Sequence, residues 1–302
     1  MAISTPQQAA PDNYKGALWL LASAVLFSAA SIMVKFLGAH FDAVQISFFR
    51  LVVSLIIIAP FLLRAGAASG GIRTSVPILQ VLRGVVGTLA MIFGFYAIVH
   101  LPLADAQAIA FSRTLFLVPL ATIFLSEIVG RRRWIAVIVG FIGVLVMLRP
   151  GTGLVFTVGA ASALAHAFFV AFATILVRIV SRHDKPVTLM FYTALIGIPV
   201  TGIPSYFVWV QPNLLELAQL LLMGLFAAGA HNCFIRAYAI GEASAIAPVD
   251  YTRLIIAAIA GYLIFDTVPD IYTGIGALII MSAAFYIIRR ESRLGHKVVG
   301  AP

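Results

Sequence analysis

Long apolar stretches, separated by short polar or Gly/Pro-rich connections such as Arg64–Ser75 and Pro150–Gly153, run almost the length of the chain. A bilayer-spanning helix needs about 20 mainly apolar residues. Ten segments follow that pattern, roughly Gly16–Leu37, Val44–Leu63, Val76–Val99, Ala104–Leu125, Trp134–Leu148, Leu154–Val177, Val187–Trp209, Leu214–Ile240, Ala243–Phe265 and Tyr272–Ile288. The runs are continuous rather than alternating, which argues against a transmembrane β-barrel. The first run is longer than a signal-peptide apolar region, so it is expected to be a retained span. The fold class expected is an all-α membrane protein with ten transmembrane helices. Residues 1–14 and 291–302 are expected to be cytoplasmic tails.

Composition fixes the solvent. Of 302 residues, 62% are apolar and 10% charged, whereas soluble domains are nearer half and a quarter. Mean hydropathy is +1.07. So few charges cannot cover a soluble surface, which excludes a soluble enzyme, a nucleic-acid binder and a disordered chain. The net charge of +9 therefore matters by its placement. With the N-terminus in the cytoplasm, thirteen Lys and Arg residues fall on the inner side, among them Lys15, Arg131-Arg132-Arg133, Arg178, Arg182 and Arg289-Arg290, while Arg149 alone falls outside. That asymmetry is the positive-inside pattern, and it places both termini in the cytoplasm. The single cysteine, Cys233, provides neither a disulfide framework nor a thiolate metal site.

Two stretches resemble one another. Asp105-Ala106-Gln107-Ala108-Ile109-Ala110 opens the fourth span and Glu242-Ala243-Ser244-Ala245-Ile246-Ala247 the ninth; Tyr96-Ala97-Ile98 and Tyr238-Ala239-Ile240 precede them. Each span closes on an acid, at Ser126-Glu127 and Phe265-Asp266. The arginine triplet after the fourth span has as its counterpart Asp266-Thr267-Val268-Pro269-Asp270 after the ninth. Opposite charge at equivalent positions is expected if an odd-numbered unit of five spans is repeated upside down, as in secondary transporters. The units are then 15–149 and 154–290, two inverted five-helix repeats.

These features, with Lys35, Arg50, Pro119, Leu125-Ser126-Glu127, Gly140/Gly143, Pro248, Ala257–Phe265 and Gly274/Gly276, resemble the EamA family of the drug/metabolite transporter superfamily over about Lys15 to Arg290. Asp266 stands where that family usually has Glu, and Ser126 where Gly is common. Asp250-Tyr251-Thr252-Arg253-Leu254 also resembles branches named amino-acid exporters or S-adenosylmethionine transporters. The resemblance implies a bacterial inner-membrane carrier of small metabolites; it does not name the substrate.

Six basic residues lie within spans, where a central charge costs about 2.5–3.5 kcal/mol on insertion scales. Lys35, Arg50, Arg83 and Arg236 lie close enough to span ends for their stems to carry the charge outward. Arg113 and Arg253 lie near mid-helix, and Asp250 is the acid three residues before Arg253, on the same face. The cluster reads either as local neutralisation or as a binding site. In the second case a guanidinium fork takes a carboxylate, and Asp250 takes an ammonium group or a proton. His166, His231 and Asn232 are also deep; the two histidines, with Asp250, are the proton-coupling candidates. Phe95, Tyr96, Phe111, Phe169, Tyr238 and Tyr251 lie near the polar set and are candidates for an apolar pocket. Small residues at Ala163/Ala167/Ala171, Gly84/Gly87 and Gly140/Gly143 predict close helix packing, and Pro119 and Pro248 predict loosened helices beside the arginines.

The chain carries no phosphate-binding loop, zinc-protease motif or nucleophile elbow. No cofactor, metal or nucleic-acid partner is expected; the partners are a small-molecule substrate and the lipid bilayer. The function expected is export of small metabolites, foremost amino acids with aromatic or bulky apolar side chains, by alternating access. Uptake or exchange of S-adenosylmethionine or another metabolite is the alternative. An intramembrane lipid-modifying enzyme or a non-transporting scaffold is the alternative from another class.

Overall fold

The structure, a computed structural model, describes residues 12–68, 74–126, 129–148, 157–184 and 186–299. Glu127, Arg73, Arg149, Lys185 and most of the N-terminal tail fall outside those residues. Helices follow one another in the order α1 (Asn13–Leu37), α2 (Ala43–Ala68), α3 (Pro77–His100), α4 (Leu103–Ala110), α5 (Arg113–Leu125), α6 (Arg131–Leu148), α7 (Val158–Val180), α8 (Pro186–Phe207), α9 (Leu214–Ile240), α10 (Ala243–Asp250), α11 (Thr252–Phe265) and α12 (Ile271–Val299). The described residues contain no strand.

Among the described residues, seven helical stretches are long and apolar enough to cross a membrane: Asn13–Leu37, Pro77–His100, Leu103–Leu125, Val158–Val180, Leu214–Ile240, Ala245–Phe265 and Ile271–Arg289. The expected spans Val44–Leu63, Trp134–Leu148 and Val187–Trp209 coincide with α2, α6 and α8, which stand outside those seven. In α6 the reason is plain: three arginines fill its first turn.

Helix starts follow local chemistry. Asp12 accepts from the Lys15 amide at 3.0 Å and Thr157 from Ala160 at 3.2 Å; Asn213 and Glu216 form a reciprocal capping box at α9. Packing is chiefly between the stretches before and after the 149–156 connection. α1 lies on α9, α3 on α7, α2 on α8 and α6 on α12. Ala163, Ala167 and Ala171 are all buried in α7, which faces α3. At the α6–α12 crossing, a Cβ on Gly276 would come within 2.5 Å of the Gly143 carbonyl, so only glycine permits that approach. Gly84 packs on Ile196, whereas a Cβ on Gly87 would meet open space, so Gly87 does not join the close-packed face expected of that pair.

Contacts at the helix ends orient the bundle. The Asp12 amide donates to the Ile240 carbonyl, which puts the start of α1 beside the end of α9. Lys35, near the end of α1, donates to the carbonyls of Ile98, Val99 and Leu101 at the end of α3. A Cβ on Gly159, at the start of α7, would meet Leu101 and His100. α1 and α3 thus run the same way, and α7 begins where α3 ends.

Two helices are interrupted at mid-length. The amides of Phe111 and Ser112 reach back three residues, to Ala108 and Ile109, and that of Tyr251 reaches Pro248. One tight turn of this kind separates α4 from α5 and α10 from α11. The first interruption therefore lies at Phe111–Ser112 and not at Pro119, which is carried inside α5. Element bounds also bear on the register of the two similar stretches. α4 and α10 have eight residues each, and α5 and α11 close on left-handed residues, Ser126 (φ 55°) and Asp266 (φ 53°). Aligned on these bounds, Phe111 falls opposite Tyr251 and Arg113 opposite Arg253, one helical turn away from the register of the Ala-rich motifs. Low-complexity alanine sequence matches itself as well one turn off.

Candidate functional site

The two interruptions meet. The rings of Phe111 and Tyr251 pack edge to face, with centroids 5.0 Å apart. Arg113 Nη2 donates to Asp250 Oδ2 at 3.0 Å, and Arg253 Nη1 lies 3.7 Å from Asp250 Oδ1. The Asp250 side chain is 5% exposed, against 13% for Arg253 and 30% for Arg113. A carboxylate this deep is tolerable because two guanidinia neutralise it. Arg253 Nη2 also donates to Gln107 Oε1 at 3.4 Å, Gln107 Nε2 donates to Ser31 Oγ at 3.1 Å, and the Arg253 guanidinium covers the Phe27 ring at 4.5 Å. Five helices, α1, α4, α5, α10 and α11, are joined through this polar chain.

A cavity of about 180 Å³ adjoins it, lined by Phe27, Ser31, Arg50, Phe95, Gln107, Phe111, Arg113, His166 and Arg253 among others. Asp250 is not in its wall. The acid lies behind the arginines and is engaged by both, so the expected direct contact of Asp250 with an ammonium group is not the arrangement found. His166 bonds through Nδ1 to the Ala90 carbonyl at 2.7 Å. A carbonyl only accepts, so Nδ1 carries the hydrogen, which leaves Nε2 as the second polar atom of the ring.

A second cavity, of about 550 Å³, lies between α2, α3, α8 and α9 and is lined by Arg50, Ser54, Gly87, Thr193, His231, Asn232 and apolar neighbours. His231 and Asn232 thus belong to a different chamber from the central cluster. Arg50, Met91 and Ala227 line both chambers.

Four of the aromatic candidates are placed otherwise than expected. Tyr96, turned about 100° from the cavity-lining Phe95, stacks on His100 at 3.9 Å. Phe169 stacks on Phe93 at 5.6 Å, and Val170, at i+4 from His166, takes the cavity-facing position instead. Tyr238 packs on Phe234 at 4.7 Å. Tyr251 donates through its hydroxyl to the Met281 carbonyl at 3.3 Å. None of these four lines either chamber.

Of the four basic residues assigned to span ends, Lys35 caps α3, as above. Arg83 is buried and donates to Gln80 Oε1, Thr193 Oγ1 and the Leu189 carbonyl. Arg236 lies over Trp19, 5.0 Å from the ring. Arg50 is the residue that sequence position mislabelled. It faces Phe95 at 5.6 Å and both chambers. Distance from a span end says nothing about whether a cavity reaches that level.

At the α7–α8 connection, Asp184 accepts from Thr74 Oγ1, from the Ser75 amide at 3.3 Å and from Gln80 Nε2 at 2.7 Å. Burial raises its pKa, but these donors outweigh it and hold the carboxyl below its ordinary value.

The chain resembles known proteins over most of its length. It is 32% identical to an S-adenosylmethionine uptake transporter of Rickettsia prowazekii over 92% of this chain and 94% of the relative. It is 31% identical to a pseudopaline exporter of Pseudomonas aeruginosa over 91% and 96%. A solved crystal structure superposes with a TM-score of 0.60 at 15% identity, covering 91% of this chain and 98% of the other, which bears on the fold alone. The EamA-like transporter family matches residues 14–149 and 157–289. The chain is therefore a multi-pass membrane protein that belongs to the EamA-like transporter family.

Proposed function

We propose that this transporter is a secondary carrier for metabolites bearing an amino-acid head group, S-adenosylmethionine foremost, working by alternating access between two inverted five-helix units, 15–149 and 154–290. The single observation that carries the substrate reading is the pair Arg113 and Arg253. They share one buried acid, keep a net positive charge, and line a chamber with aromatic walls. A planar guanidinium suits a carboxylate, and the S-adenosylmethionine uptake transporters among the relatives favour such a metabolite.

Several features support the inverted arrangement. The contacts exchange under a swap of the two units: α1 with α9 answers α3 with α7, α3 with α8 answers α2 with α9, and α5 with α7 answers α1 with α11. α7 also begins at the end of the bundle opposite to the start of α1. With ten spans, both termini lie on the cytoplasmic side of a bacterial inner membrane.

Export of a free amino acid is the second reading, favoured by the small volume of the first chamber. Uptake of radiolabelled S-adenosylmethionine and of an amino-acid panel into proteoliposomes separates the two. Accumulation of the first above empty liposomes supports the proposal, and movement of amino acids alone overturns it. An enzyme would change the mass of the molecule, and a scaffold would move nothing. An imposed pH gradient should change the rate if His166, His231 or Asp250 carries protons; a rate indifferent to it assigns the flux to exchange or facilitated diffusion.

A further inference from the structure

The chamber beside the central arginines is too small for a bulky ligand. Ligand pockets commonly hold about 300–1,000 Å³; the first chamber holds about 180 Å³ and the second about 550 Å³. The two share Arg50, Met91 and Ala227 as a common wall. Arg50 differs from the other cations inside the bundle at this point. Arg113 and Arg253 have Asp250, Arg83 has Gln80 and a carbonyl, and Lys35 has three carbonyls. Among the described residues, Arg50 has the Phe95 ring and no hydrogen-bonding partner. Arg50 is partly exposed and lines both chambers; a guanidinium without a protein acceptor has its donor fork free, and between two chambers the acceptor to expect is part of a ligand.

Resting on the carboxylate-binding reading above, we infer that the second chamber is a subsite for the body of the same ligand, with Arg50 at the junction. The head-group carboxylate lies among Arg113, Arg253 and Arg50. A bulky, largely neutral extension, a nucleoside or a group of similar size, passes between Met91 and Ala227 into the space between α2, α3, α8 and α9. The walls there suit such a group: an apolar surface from Leu51, Leu55 and Ala194, with Ser54, Thr193 and Asn232 as dispersed hydrogen-bonding side chains. The second chamber thereby sets specificity by size, separating a nucleoside-bearing amino acid from a free one.

Gly87 allows a clean test. It lines the second chamber, and a Cβ there meets nothing within 4 Å, so Gly87→Leu fills the chamber without a clash. Gly274 is equally open but lines neither chamber, so Gly274→Leu is the control. The inference expects Gly87→Leu to lower S-adenosylmethionine uptake in proteoliposomes at least tenfold, with Gly274→Leu near wild type. Equal uptake by both variants overturns it. As a second measurement, Gly87→Cys in a Cys233→Ser background is labelled with a maleimide. S-adenosylmethionine should slow the labelling and methionine should not. Unchanged labelling in a protein that still transports S-adenosylmethionine overturns the subsite and leaves the carrier reading intact. A wild type that moves no S-adenosylmethionine overturns both.

Discussion

Two aspartates of this protein solve the same problem with different partners. Asp250, at mid-bundle, is held by two guanidinia. Asp184, at the α7–α8 connection, is held by a hydroxyl, an amide and a carboxamide. Where water is near, neutral donors suffice to hold a carboxylate. At depth, a lone charge is prohibitive and only full countercharge allows it. The two sites therefore differ in what their loss costs. Removing Asp184 exposes donors that water can satisfy, whereas removing Asp250 strands two cations.

The sharpest way to break the comparison is Asp250→Ala. Losing one member of a buried ion pair costs about 3–5 kcal/mol, so this variant should show the lowest thermal stability in detergent as well as lost transport. Stability near wild type would mean that Arg113 and Arg253 do not depend on the acid. Next come Arg113→Ala and Arg253→Ala. At equal membrane abundance each should lower transport by about 100-fold, the scale of a lost buried charge-assisted contact. Arg236→Ala, over the Trp19 ring, should retain most activity; equal retention by all three would remove the central site.

Asp184→Ala should cost less, about 1–2 kcal/mol, and its effect carries a pH signature. The folded state holds this carboxyl below the ordinary value of 3.8, so its contribution is fully present above that value and is lost as pH falls through the lower, folded pKa. The stability gap between wild type and variant should be constant from neutral pH down to about pH 5 and shrink below about pH 4. A gap that widens on acidification would reverse the assigned sign. The smallest effects belong to the helix ends: Ser126→Gly and Asp266→Gly relieve left-handed backbone at φ 55° and 53°. Each should raise stability by up to about 1 kcal/mol, read as a higher unfolding temperature.

Part of the site was legible in the sequence. Arg113, Asp250 and Arg253 stood out because charge deep in an apolar run needs a reason, and the spacing of three put Asp250 and Arg253 on one face. The role of Arg50 was not legible there, because nearness to a span end is a poor proxy for access to solvent or cavity. Proximity along the chain does not by itself identify the aromatic lining of the cavity. One residue turns a helix by about 100°, which is enough to move Tyr96 from the chamber to His100. The Ala-rich motifs revealed two similar stretches but not their register, since one alanine turn resembles the next.

Hydrophobic run length and charge placement determined, without coordinates, that this chain is helical, lies in lipid and carries its rare buried charges at related places in two similar stretches. Those are one-dimensional quantities, set by the cost of exposing polar backbone or charge to hydrocarbon. Which cations share an acid, which carbonyls Lys35 caps, and that Arg50 lines two chambers at once were decided by the packing of helices distant in sequence. Such contacts pair residues 137 and 146 positions apart, and no local pattern encodes the helix phase and crossing that bring them within hydrogen-bond reach.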